Sequence, residues 1–92
     1  MKLPWRRPRR SEDLQIVVYT RRGCCLCEDA ERMVARLATA FGFTVALVDV
    51  DADPDLDRRY GHQVPVVDIP GGPTLAAPID EPTLRAALEA LR

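Results

Sequence analysis

Two cysteines at the junction between a predicted strand and a predicted helix constrain this chain more than any other feature. The apolar run at residues 16–19 ends shortly before Cys24, and apolar residues at helical spacing follow it. Residues three apart on a helix differ by about 300° in azimuth, so Cys24 and Cys27 share one face. Cys25 and Cys27 differ by about 200° and do not. We therefore expect Cys24 and Cys27 to form the dithiol of this chain.

The two thiols of this pair are expected to have different surroundings. Cys24 stands at the start of the helix, where unpaired backbone N–H groups and the helix dipole favour a thiolate. The helix carries an apolar stripe formed by Cys27, Ala30, Val34, Leu37, Ala38 and Phe41. We predict that Cys24 is an accessible nucleophile and that Cys27 is a sheltered resolving thiol.

Seven secondary-structure elements are predicted, in the order β-α-β-α-β-β-α. They are strands at residues 14–20, 43–50, 64–69 and 74–77, and helices at residues 24–41, at 53–60 and after residue 80. A helix between the first two strands favours a parallel pair, and the turn at residues 70–73 favours an antiparallel one. The predicted fold class is α/β, with a four-stranded mixed sheet, a central first strand and helices on both faces.

Length and charge predict one domain preceded by a short basic segment. The chain has 92 residues, of which 47% are hydrophobic, which is enough for a single core. Five of the thirteen basic residues fall within the first ten positions, whereas all fourteen acidic residues come later. We interpret residues 1–13 as a basic, flexible extension and residues 14–92 as the domain. A basic tail can attract nucleic acid, but a solubilising role is the simpler interpretation, so no nucleic-acid partner is expected.

Cysteine usage and hydropathy indicate the compartment. Three cysteines are an odd number for a disulfide scaffold, which favours a reduced, cytoplasmic protein. No run of seven or more apolar residues follows the basic N-terminus, so neither a secretion signal nor a membrane span is expected. We expect a cytoplasmic monomer without a membrane partner.

The motif at residues 19–27, Tyr-Thr-Arg-Arg-Gly-Cys-Cys-Leu-Cys, resembles that of the small bacterial glutaredoxin-like family. The element order, with Val64-Pro65 opening the third strand, is similar to the thioredoxin fold. The resemblance covers about residues 14–91 and implies a thioredoxin-like fold. It also implies a thiol-disulfide oxidoreductase whose partners are a protein disulfide substrate and a thiol reductant. We expect no metal in the site.

Each site residue has a role that the resemblance implies. Cys24 attacks the disulfide, and Cys27 resolves the mixed disulfide. Pro65 is cis and faces the thiols, while the backbone of Val64 pairs with the substrate; a trans proline that merely opens the strand is the alternative. Arg21 matches the position at which glutaredoxins carry a lysine that stabilises the thiolate and contacts glutathione. A surface cation without a role is the alternative for Arg21.

Departures from the glutaredoxin pattern concern glutathione. Gln63 stands where a threonine is usual, and Leu26 stands where an aromatic residue precedes the second cysteine. The Gly-Gly pair that helps to hold glutathione after the fourth strand is missing, because Gly71 and Gly72 fall in the predicted turn. Glutathione is therefore a possible ligand that we expect to bind poorly.

Two other classes of function stay open on the sequence. Cys24, Cys25 and Cys27 could hold zinc with His62 as a fourth ligand, or a dimer could share an iron-sulfur cluster. Alternatively, the chain is a thioredoxin-fold adaptor whose thiols take no part in its function. We interpret Cys25 as a passive small residue, because its azimuth points away from the pair.

Overall fold

The computed structural model describes residues 14–91, so the predicted basic extension at residues 1–13 lies outside the described residues. The strands are β1 (Gln15–Thr20), β2 (Thr44–Asp49), β3 (Val66–Asp68) and β4 (Thr74–Ala76). The helices are α1 (Cys25–Phe41), α2 (Pro54–Tyr60) and α3 (Glu81–Glu89), with a 3₁₀ turn at Val50–Ala52. No helix within the described range is long and apolar enough to cross a membrane.

The four strands form one mixed sheet in the order β2-β1-β3-β4. β1 pairs in parallel with β2 and antiparallel with β3, and β3 pairs antiparallel with β4. The predicted α/β class, the element order and the interior position of β1 are confirmed. The carboxyl ends of the parallel strands β1 and β2 meet at one edge of the sheet, and the loop into α1 begins there.

The core lies between one face of the sheet and the helices α1 and α3. β1 buries Ile16, Val18 and Thr20 on this face. Val17 and Tyr19 point to the opposite face and are only half-buried. The continuous apolar run of β1 predicts a strand covered on both faces, but the second face is covered only in part. On that face, Tyr60 of α2 stacks on Tyr19 with 4.2 Å between ring centroids. Helices therefore contact both faces, as the sequence predicts.

Helix α1 matches its predicted pattern residue by residue. Its buried residues are Cys27, Ala30, Val34, Leu37, Ala38 and Phe41, the same six that form the predicted stripe. Cys24 is the N-cap, so the helix begins one residue later than predicted. Gly42 ends the helix with a left-handed φ of 86°, and its N–H donates to Ala38 O, as expected for a glycine C-cap.

The third strand is shorter than predicted. It begins at Val66 rather than residue 64, because Pro65 has no N–H to donate to a neighbouring strand. Val64 and Pro65 therefore belong to the loop that enters β3. The turn from β3 to β4 lies as predicted, and Gly72 N–H donates to Ile69 O at 2.8 Å within it.

Candidate functional site

The loop between β1 and α1 fixes the position of the first cysteine. Gly23 has a φ of +74°, a left-handed conformation that a side chain would strain, although a Cβ there would meet no atom within 4 Å. The requirement for glycine is therefore conformational rather than steric. It turns the chain so that the next residue, Cys24, becomes the N-cap of α1.

Cys24 presents its sulfur at the helix start. Its thiol is partly exposed, and its Sγ accepts a hydrogen bond of 3.1 Å from the N–H of Cys27. Its own carbonyl accepts the first helical hydrogen bond, from Glu28 N–H, at 3.1 Å. A thiolate accepts such an N–H more strongly than a thiol does, because the interaction becomes charge-assisted. The arrangement is suited to a nucleophilic sulfur.

Cys27 lies one turn further along and is completely buried. Burial raises the pKa of the Cys27 thiol above its ordinary value, and the neighbouring Cys24 thiol raises it further. The Thr20 hydroxyl and the backbone N–H of Arg21 lower it, but less. Cys25 is exposed outside this pair. The structure thus brings Cys24 and Cys27 together as one accessible and one sheltered thiol.

The Arg21 guanidinium lies among carboxylates that are distant from it in sequence. Its Nε donates to both carboxylate oxygens of Asp51, at 3.1 and 3.2 Å. Its other nitrogens donate to Asp57 and, at 3.2 Å, to Gly61 O. A signal for this was present: β2 runs parallel to β1, so the aspartates that follow β2 must meet the residues that follow β1. Arg21 joins the loop after β1 to α2.

Pro65 borders a groove of about 260 Å³ beside the first turns of α1. The groove is lined by Leu26, Asp29, Ala30, Met33, Pro65, Ala77, Pro78 and Ile79. The Val64–Pro65 and Ala77–Pro78 peptide bonds are both cis. Within residues 14–91, no hydrogen bond occupies the backbone N–H or C=O of Val64. The sequence motif pointed to Pro65 but not to Ala77, Pro78 and Ile79, which also line the groove.

A second cavity, of about 380 Å³, is bordered by the end of β1 and the loop that follows it, by the first turns of α1 and by β2. It is lined by Thr20, Arg21, Arg22, Gly23, Glu28, Glu31, Leu47 and Asp49. In its wall, Thr20 Oγ1 donates to Glu31 Oε2 at 2.6 Å. Neither residue was selected from the sequence, because Thr20 ends a strand and Glu31 belongs to the polar face of a helix.

The described residues do not support the zinc site considered from the sequence. No group of three or more histidine, cysteine, aspartate or glutamate side chains within 14–91 is placed to hold a metal ion. Cys25 and His62 are both exposed, whereas Cys27 is buried. These side chains therefore do not converge with Cys24 into a four-ligand set.

A family model, the glutaredoxin-like domain (DUF836), matches residues 15–89, which include the thiol pair and the groove. The chain belongs to the glutaredoxin-like domain family. A curated relative, the uncharacterized protein Rv0508 of Mycobacterium tuberculosis, is 32% identical over 77 residues, covering 78% of this chain and 79% of the relative. The family that the motif suggested is therefore confirmed.

Solved structures agree with the fold. The X-ray structure of the structural genomics target protein XcR50 from X. campestris is 39% identical and covers 82% of this chain and 96% of that one, with a TM-score of 0.65. Protein Ne2328 from Nitrosomonas europaea is 28% identical, with coverages of 79% and 88% and a TM-score of 0.65. A mutant thioredoxin from Halobacterium salinarum, at 24% identity, 86% and 74% coverage and TM-score 0.67, supports the thioredoxin-like fold alone.

Proposed function

We propose that this glutaredoxin-like protein is a thiol-disulfide oxidoreductase that reduces protein disulfides. The observation that carries the proposal is the unequal thiol pair at the start of α1. Cys24 is partly exposed and accepts an N–H hydrogen bond, whereas Cys27 is buried one turn away. Cys24 can therefore react with a substrate disulfide, whereas Cys27 can react only within the protein, with the disulfide that Cys24 has formed.

The reaction proceeds in two exchanges. The Cys24 thiolate attacks one sulfur of the substrate disulfide, forming a mixed disulfide and releasing the other sulfur as a thiolate. Cys27, as thiolate, then attacks Cys24 Sγ, so that the Cys24–Cys27 disulfide forms and the substrate leaves fully reduced. Two electrons have moved from the dithiol to the substrate. A thiol reductant returns the protein to its starting state.

The groove beside Pro65 supports an extended protein segment as the substrate. Its lining is mainly apolar, and Leu26, beside the thiols, is 60% exposed. The backbone groups of Val64 make no hydrogen bond within residues 14–91 and are therefore able to pair with a substrate strand. Free cysteines suit a reducing compartment, which we propose is the cytoplasm.

Single-turnover reactions of pre-reduced variants with a peptide disulfide test the proposal. We expect Cys27→Ser to stop at a mixed disulfide with the peptide held on Cys24, visible by mass spectrometry. Cys24→Ser in the Cys25→Ser background should neither reduce the peptide nor accumulate an adduct, because the one thiol left, that of Cys27, is buried. Cys25→Ser is the control and should react within a few fold of the unmodified protein.

Two outcomes would contradict this scheme. If Cys24→Ser reacted normally while Cys27→Ser were inert, the roles of the two thiols would be reversed. If the unmodified protein reacted no faster than a free peptide thiol, the chain would be a binding module whose thiols are incidental.

A further inference from the structure

The groove beside Pro65 combines an apolar lining with a single charged side chain. Three of its residues, Leu26, Ala30 and Met33, recur along α1 at helical spacing and therefore share one face. The remaining apolar lining comes from Pro65 and residues 77–79. Asp29 is the one charged residue in this lining. A side chain that enters the groove therefore meets apolar surface and, at one point, a carboxylate.

The Asp29 carboxylate is exposed and only weakly held. Its Oδ1 accepts a hydrogen bond from Arg32 Nη2, and the two side chains are 65% and 72% exposed. Ion pairs of this kind contribute little to stability, because water solvates both charges well. No other residue in the described part of the chain bonds to this carboxylate. A basic side chain of a bound segment can therefore share Asp29 with Arg32 or displace Arg32 from it.

The charge around the groove is mainly negative. Among the described residues, no lysine or arginine lines the groove, whereas Arg21 and Arg22 both line the second cavity. Directly after Ile79, which lines the groove, comes Asp80, another exposed acidic residue. Arg32 offsets part of this negative charge. The groove therefore favours a basic side chain over an acidic one.

We propose that Asp29 makes the groove selective for protein substrates that carry a basic side chain beside an apolar one, next to the disulfide cysteine. The apolar side chain packs against Leu26 and Met33, and the basic side chain pairs with Asp29. The backbone of Val64, which makes no hydrogen bond in the part of the chain that the structure describes, aligns the same segment by strand pairing. The inference rests on the proposed function, because it names the class of substrate that Cys24 attacks.

Three peptides of identical composition and charge test this selectivity. A Leu-Lys pair stands directly before the cysteine in the first peptide, directly after it in the second and far from it in the third. Each cysteine is disulfide-linked to 5-thio-2-nitrobenzoate. Attack of the Cys24 thiolate on the peptide sulfur forms the mixed disulfide and releases this group as a coloured thiolate, so absorbance reports the first exchange. The protein is the Cys25→Ser variant, which lacks the exposed third thiol. Rates with dithiothreitol correct for the intrinsic reactivity of each peptide.

We expect one of the two adjacent placements to react at least about tenfold faster than the distant one, the factor that burial of a leucine side chain supplies. Exchanging the lysine of that peptide for glutamate should lower the rate about two- to fivefold, as for a partly exposed ion pair, and less in high salt. Equal rates for all three placements would overturn the selectivity. If every peptide reacted no faster than with a free peptide thiol, the proposed function itself would be refuted.

Charge variants assign the preference to one side chain. Asp29→Lys should reverse it, so that the glutamate peptide reacts faster than the lysine peptide, and Asp29→Asn should remove most of it. Arg32→Gln frees the carboxylate and should strengthen the preference. Glu28→Lys is the matched control, because it makes the same charge change at the neighbouring position of α1, where the side chain lines the second cavity. There the lysine peptide should remain the faster one. Equal reversal by Glu28→Lys, or an unchanged preference in Asp29→Lys, would overturn the role of Asp29.

Discussion

A single buried thiol links the stability of this protein to pH. Burial raises the pKa of Cys27 in the folded state, whereas the same thiol in the unfolded chain ionises from about pH 8.5. Below that pH both states hold the proton, and the thiol gives no pH dependence. Above it, the unfolded chain releases the proton first, so stability falls as the pH rises toward the folded-state pKa.

We therefore predict that the reduced protein loses stability above about pH 8.5 through Cys27. The measurement is urea unfolding from pH 7 to 10.5, in which the free energy of unfolding is compared with that of Cys27→Ala. The difference between the two should fall by at most about 1.4 kcal/mol per pH unit. Cys25→Ala, which removes an exposed thiol, should follow the unmodified protein. A constant difference across the range would mean that Cys27 ionises alike in both states.

At the scale of elements, Arg21 has a connecting role that differs from the one its motif implies. Its guanidinium bonds Asp51 in the 3₁₀ turn, Asp57 in α2 and Gly61 O at the end of α2. Several bonds from one guanidinium restrict its geometry more than an isolated surface ion pair does. Arg22, the next residue, is exposed and makes no ion pair within the described residues.

We predict that Arg21→Gln lowers the urea midpoint of unfolding, while Arg22→Gln leaves it unchanged. The loss should diminish at high salt, because the guanidinium and its carboxylates are partly exposed. The rate at which Cys24 reacts with iodoacetamide at pH 7 should change less than about threefold in either variant. The hydrogen bond to the Cys24 sulfur comes from the backbone N–H of Cys27, not from either guanidinium. A tenfold slower reaction in Arg21→Gln alone would support the thiolate-stabilising role implied by its motif.

The helix and strand patterns predict this fold closely because they are local. The six-residue stripe of α1 and the Gly42 cap follow from spacing and backbone geometry, and both are found in place. Contacts between side chains distant in sequence are different. Thr20 and Glu31 are eleven residues apart, and Arg21 and Asp57 thirty-six, so no periodic pattern joins them. The packing of α1 beside β1 brings the first pair together, and the parallel pairing of β1 with β2 brings the second pair together.

At the scale of the whole molecule, the part of the chain that the structure describes offers little to hold a small acidic peptide. Eight basic residues remain after the first ten positions, against fourteen acidic ones. The Arg21 guanidinium is paired with two carboxylates, and the Asp80 carboxylate already accepts Thr83 N–H at 3.3 Å as the cap of α3. Gly71 and Gly72 lie in the turn between β3 and β4. The groove beside Pro65 is instead mainly apolar.

We predict that glutathione serves this protein poorly, as substrate and as reductant. Its carboxylates require fixed donors, and each missing charge-assisted hydrogen bond costs roughly 1.5 to 3 kcal/mol, which is about ten- to a hundredfold in affinity. The test compares one peptide in two forms, as a peptide–peptide disulfide and as a mixed disulfide with glutathione, under the same NADPH-coupled conditions. We expect the peptide–peptide disulfide, with a thioredoxin-type donor, to turn over faster than the glutathione mixed disulfide does with glutathione as the donor. Saturation at low glutathione with rates typical of glutaredoxins would contradict this, and would mean that residues 76–80 supply the missing donors.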